Sequence, residues 1–161
     1  MTVLHLEDAS GPAPAFYRGV IDLLGGSDVL RELPVTPLDA HDLILRGLPA
    51  AALTHLVDGL EALRDRESLE KAVGMSLRTF QRKKGGGPAR LSQEQSGRTW
   101  RFAEILAKAA AVFGSREDAE GWLERPALGL DGRRPLDLLA TPAGVRLVDD
   151  HLERLRYGVY A

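Results

Sequence analysis

Cysteine is absent from the 161 residues, which rules out disulfides, thiolate metal sites and a catalytic thiol together and is compatible with a reducing compartment. No stretch approaches the roughly 18 uninterrupted apolar residues of a membrane span. The start, MTVLHLEDAS, has no basic flank leading into an apolar run. The expectation is a soluble, unexported, cytoplasmic chain. Chemistry-bearing motifs are equally scarce. His5, His41, His55 and His151 are scattered, without the HxxxH or HExxH spacing of a metal site. No Gly-x-Ser-x-Gly turn occurs, and the triple glycine Gly85-Gly86-Gly87 lacks the Lys-Ser/Thr pair of a phosphate loop. That triplet reads as a helix stop and hinge. Asp149, Asp150 and Glu153 read as solvated charge on a helix face. Nothing here makes an enzyme or calls for a cofactor or metal.

Strand signals are missing as well. No apolar/polar alternation is sustained, and no Asn-Gly or Asp-Gly pair joins two β-branched runs. The 44% of hydrophobic residues instead recur at helical spacing, so the expected fold is all-α. Phe16, Val20, Leu23 and Leu24 mark a first helix, stopped by Gly25-Gly26, after a lead-in ending in GPAP. Thr36-Pro37 is a cap followed by proline at the first helical position, and opens a helix to Arg46 with Gly47 behind it. A third helix follows Pro49. GGGPARLSQEQS, residues 85–96, is aperiodic and reads as a loop, with a helix resuming over Trp100 to Phe113. Ser115 caps a short helix ending at Trp122-Leu123, and Thr141-Pro142 opens the last helix through Val145, Val148, Leu152 and Leu155. The chain divides into an N-terminal helical region, residues 1–100, and a C-terminal domain, residues 101–161.

Charge is unevenly distributed behind a net of -2. Residues 1–63 carry a net of -6, residues 64–112 a net of +6 and residues 113–161 a net of -2. An anionic partner is therefore expected at the middle third. Within it, SLEKAV, the turn Gly74-Met75 and a helix capped by Ser76 make a helix-turn-helix over residues 67–84. Leu69, Val73, Leu77 and Phe80 supply its shared core. Arg78, Thr79, Gln81, Arg82, Lys83 and Lys84 fall on the outward arc, where Arg and Gln suit base edges and Thr and Lys suit phosphates. Residues 75–90 hold five positive charges and no acidic one. A merely solvated helix usually mixes signs, but it stands as the bland alternative.

The run from Val112 to Ala161 resembles the toxin-binding C-terminal domain of the Xre/MbcA/ParS-type antitoxins. The residues that carry the resemblance are Val112-Phe113-Gly114, Ala119, Trp122-Leu123, Pro126, Leu128, GRRPLDLL (Gly132 to Leu139), Thr141-Pro142, Gly144 and Tyr157-Gly158. The helix-turn-helix before it is similar to the Xre-like module of the same family. The resemblance implies an antitoxin of a type II pair, in homo-oligomeric or hetero-oligomeric complex, whose partner is a RES-domain toxin that consumes NAD or transfers ADP-ribose from it. It implies steric blockade of the toxin's NAD site and autorepression of the operon through operator DNA. By position, the toxin-facing element is Arg154, Arg156, Tyr157, Gly158, Val159, Tyr160 and Ala161.

The residues themselves leave alternatives open. Tyr157 and Tyr160 can instead fold back onto their own domain. Arg133 and Arg134 suit a toxin, DNA or a solvated turn, while Trp122 and Leu123 are expected in the core. A regulator without a toxin, its C-terminal domain serving only dimerisation, is the second functional reading. An adaptor that binds no DNA is the third.

Overall fold

The structure, a computed structural model, describes residues 15–85 and 89–158. The GPAP lead-in, Gly86, Gly87 and the tail residues Val159, Tyr160 and Ala161 lie outside the described residues. Among those described, every regular element is a helix, and the only β pairing is two isolated bridges, Pro49 to Arg90 and Ala127 to Arg133. None of the helices is long and apolar enough to cross a membrane.

The first three helices are α1 (Ala15–Leu23), α2 (Pro37–Arg46) and α3 (Ala50–Asp58). Their boundaries follow local chemistry. Gly25 and Gly26, at φ 102° and 65°, end α1 in backbone that a side chain would resist. Thr36 caps α2 in a full capping box: its hydroxyl accepts the Asp39 N–H, and the Asp39 carboxylate accepts the Thr36 N–H at 2.9 Å and the Val35 N–H at 3.0 Å. These backbone hydrogen bonds hold the Asp39 carboxyl below the usual carboxylate range. The helix-turn-helix pair follows as α4 (Arg66–Val73) and α5 (Leu77–Gly85).

The structure then departs from the sequence reading. The stretch read as a loop through Ser96 is already helical from Gln93, and α6 runs Gln93–Phe113 without a break. At 21 residues and about 1.5 Å per residue it is roughly 30 Å long. Its start is another capping box, Ser92 with Gln95, each side chain bonding the other's backbone N–H at 3.1 Å. Periodicity missed this turn because two of its inward residues are polar. Ser96 is fully buried and its hydroxyl accepts the Leu48 N–H at 2.8 Å, while buried Thr99 donates to the Gln95 carbonyl at 2.8 Å.

Three helices close the fold: α7 (Arg116–Leu123), α8 (Pro135–Leu138) and α9 (Pro142–Arg156). Leu123 is buried, but Trp122, expected in the core, is half-buried: it packs on Phe113 at 5.3 Å between ring centroids and stacks on His151 at 6.0 Å. A single apolar cluster extends from Val20 and Leu24 through Leu69, Phe102 and Leu106 to Val148 and Leu152. Helix α6 crosses the division between residues 100 and 101 and packs against α1, α2, α4, α7 and α9.

The start of α9 is wedged against the end of α8. Gly144 is buried, its N–H donates to the Thr141 hydroxyl at 3.0 Å, and a methyl group there would run into the Leu138 carbonyl oxygen. Gly85, in α5, faces open space at an ordinary φ. Gly144→Ala is therefore expected to lower stability by about 2–3 kcal/mol through forced backbone displacement. Gly85→Ala should be neutral or mildly stabilising. Urea unfolding of both variants against wild type checks the pair.

Candidate functional site: the basic helix and the C-terminal end

Helix α4 starts where the Asp65 carboxylate accepts the Ser68 N–H at 2.9 Å; the Ser68 hydroxyl and N–H together hold that carboxyl below its usual range. It ends at Gly74, whose φ of 67° is left-handed and whose N–H returns to the Glu70 carbonyl. The Arg98 guanidinium, from α6, donates to the Lys71 carbonyl at 3.0 Å and fills the space where a Cβ on residue 74 would stand. Glycine is favoured there by its left-handed conformation, and a side chain would also have to push the Arg98 guanidinium aside. Met75 is buried beneath the turn, and Ser76 caps α5 by accepting the Thr79 N–H at 3.1 Å. Leu69, Val73 and Phe80 are buried and Leu77 half-buried, as the helix-turn-helix core requires. Sequence reasoning missed Arg98; its partner lies 27 residues away in the chain.

The six residues of the predicted outward arc divide into two groups. Phe80 and Leu77 point inward, so at about 100° per residue the opposite side of α5 is led by Arg78 and Arg82. Both are exposed, as is Gln81, and the three side chains make no hydrogen bond or ion pair among the described residues. Thr79 is half-buried and its hydroxyl bonds that of Ser76 at 2.9 Å. Lys83 is also half-buried, in a shallow concavity shared with His55 and Arg116. Lys84 does not join the arc: its ammonium bonds both Asp58 carboxylate oxygens at 3.0 Å and lies over the Phe80 ring at 6.0 Å. Its role is to tie α5 to α3.

The C-terminal half is fastened to α4 through charge. One oxygen of Asp137, in α8, accepts from Lys71 at 2.8 Å and from Arg134 at 2.8 Å, while Lys71 also reaches Glu67 at 2.7 Å. The Arg134 hydrogen bond chiefly holds the Asp137 carboxyl below the usual range, and the Asp137 bond chiefly raises Lys71. Arg134 is accordingly committed to the fold, and Arg133 is exposed. Asp149 and Glu153 of α9, read from the sequence as solvated charge, instead bond Lys108 of α6 at 2.7 Å and 3.1 Å. Burial, then the charge of Arg154, hold the His151 imidazole below its ordinary value and so neutral at pH 7.

The end of α9 is presented outward. Arg154 and Arg156 are exposed, Arg156 lies 5.7 Å from the Tyr157 ring, and Tyr157 itself is 70% exposed, not folded back onto its domain. Gly158 follows at φ 68°. Among the described residues no group of three or more metal-ligating side chains converges.

Comparison with known proteins matches residues 39–104 to the Antitoxin Xre-like helix-turn-helix domain and residues 108–158 to the Antitoxin Xre/MbcA/ParS C-terminal toxin-binding domain. The chain is 30% identical to Antitoxin Xre of Yersinia enterocolitica over 130 residues, which are 71% of this chain and 87% of that relative. It is 35% identical to Antitoxin Xre of Pseudomonas putida over 68 residues, 42% and 43% of the two chains. A protein named Prs ADP-ribosylating antitoxin, of Sphingobium, is 25% identical over 135 residues, 78% of this chain and 83% of its own.

The Asp137 cluster yields an acid-sensitivity prediction. A carboxyl depressed in the folded state contributes stability that is full above its unfolded value and is lost as pH falls through the folded one. The stability gap between wild type and Asp137→Asn should therefore be widest above about pH 5 and close as pH drops past 3.8, the ordinary aspartate value. Thermal unfolding of both proteins across that range measures it. A gap independent of pH would mean that the charge at Asp137 does not hold α8 to α4.

Proposed function

This chain belongs to the Xre antitoxin family, and from that premise we propose that it neutralises a RES-domain toxin encoded by the adjacent gene and represses the operon that encodes both. Arg78, Gln81 and Arg82 enter the major groove of the operator, where Arg pairs with guanine edges and Gln with adenine edges. Lys83 and Thr79 approach the phosphates from the flanks of the same helix. The observation that carries the DNA half is the exposed, unpaired arc of Arg78, Gln81 and Arg82 on a helix whose turn is locked from behind by Arg98.

The toxin half rests on the outward end of α9 within the residues matched to a toxin-binding domain. In this reading Arg154, Arg156, Tyr157, Gly158 and the tail Val159, Tyr160 and Ala161 enter the mouth of the toxin's active site. The name of the Sphingobium relative points to ADP-ribosylation. ADP-ribosyl transfer draws on NAD, so a toxin of that chemistry offers an NAD pocket for the tail to occlude. Arg156 suits the place of a pyrophosphate-facing or carboxylate-facing cation. Both partners meet the protein in the cytoplasm.

Two variants separate the halves. Arg78→Ala with Arg82→Ala should weaken binding to the DNA upstream of its own gene by at least about 30-fold and flatten the salt dependence, with neutralisation intact; fluorescence anisotropy over a salt series reads both. Removal of residues 157–161 should restore NAD consumption by the toxin while operator affinity is unchanged. Undiminished inhibition by the truncated chain would place the blocking element elsewhere.

A further inference from the structure

Leu128 is 97% exposed, the most exposed of the large hydrophobic residues among those described. It is held out by a rigid turn. The Leu130 and Gly132 N–H groups both bond the Ala127 carbonyl, at 3.0 and 2.9 Å, and Ala127 and Arg133 pair across the base. Asp131 sits at φ 55°, the one non-glycine residue with positive φ among those described. Leu130, two residues on, is buried and pins the turn to the core. Gly129 lies so close to the His151 ring that no Cβ fits between them. A turn this constrained fixes the backbone at Leu128, with Asp131 supplying the left-handed cap that Asp readily adopts.

The surroundings of Leu128 extend the apolar surface. His151 is backed by Trp122, stacked at 6.0 Å and 11° between ring planes. One turn earlier on α9 stands Leu147, 54% exposed. Leu147, Arg154 and Tyr157 recur at i, i+7 and i+10, on one face of the helix. The turn that carries Leu128 packs on α9 at His151, and Leu147 shares its helix face with the exposed end of α9. Asp131 and Arg133 of the turn, and Asp150 and Arg154 of α9, are exposed charges of both signs.

We infer that Leu128, supported by Leu147, is the anchor by which the C-terminal domain docks on its toxin, inserting into an apolar pocket of the toxin surface. The anchor is distinct from the tail: it holds the domain in place, and the tail obstructs. The inference rests on the toxin-binding reading above. It rests equally on the location of Leu128 and Leu147 inside the matched residues 108–158 and on the packing of the Leu128 turn against α9. A preorganised apolar side chain with exposed charges in the same turn is the arrangement from which interface hot spots are built, because it binds without paying to order itself.

The test is titration calorimetry of the full-length chain against the purified product of the adjacent gene, for wild type, Leu128→Asp, Leu128→Met and Leu38→Asp. Leu38, on α2, is 67% exposed and outside the patch. Leu128→Asp should lose about 30-fold or more in affinity, whereas Leu128→Met and Leu38→Asp should stay within about twofold of wild type. Unchanged operator binding by each variant shows that the fold is kept. Wild-type affinity in Leu128→Asp overturns the anchor and leaves the toxin-binding reading standing. Equal losses in Leu128→Asp and Leu38→Asp overturn it too, as a general penalty of surface charge. A wild-type chain that does not retain the product overturns the toxin-binding reading and the anchor with it.

Discussion

Helix α6 has to be buried on two opposite faces, and the rest of the chain is arranged by that requirement. Ser96, Trp100 and Ala107 share one face: Ser96 holds the Leu48 N–H, Trp100 meets Tyr17 at 6.1 Å, and Ala107 touches the Gly19 position. Roughly half a helical turn away, Arg98 and Phe102 serve α4 and the α8–α9 corner. Neither half of the chain closes a core without borrowing a side of this helix. A DNA-reading module and a toxin-binding module are thereby built on one wall rather than strung on a linker. The Lys71–Asp137–Arg134 cluster adds a second fastening between them, at the surface.

What the sequence made legible was what local chemistry decides. The caps at Thr36, Ser76, Ser115 and Thr141 each read correctly because a hydroxyl and the N–H three residues on are enough to form them. The same holds for the turn at Gly74 and for the buried Leu69, Val73 and Phe80. The first two turns of α6 were illegible for the opposite reason. A helix buried on both sides shows no single apolar stripe, and here two inward positions are hydroxyl residues, Ser96 paired with the remote Leu48 N–H and Thr99 with the Gln95 carbonyl one turn back.

The candidate site divides along the same line. Arg78 and Arg82 are outward, as a helical projection from Phe80 requires, and Gln81 is exposed on the flank between them and Leu77. Lys84 projects on the side of Phe80 instead, and its ammonium is held there by Asp58 of α3, 26 residues earlier. Arg134 is likewise occupied by Asp137, and Arg90 by the Gly47 carbonyl at 2.8 Å. The positive middle third of the sequence therefore presents a narrower cationic face than its charge count implies. Part of that charge is spent on joining helices, and what remains is concentrated on the solvent side of α5.

The filled space behind Gly74 couples residues 74 and 98 physically. An arginine that reaches from α6 to the end of α4 occupies the volume of the side chain that glycine lacks. Any larger residue at 74 has to displace the guanidinium that secures the Lys71 carbonyl, and a shorter residue at 98 leaves both that carbonyl and the gap beside the glycine unattended. A change at either position is thus felt at the other. The end of α4 is in this way secured by a residue that lies outside the helix-turn-helix pair itself.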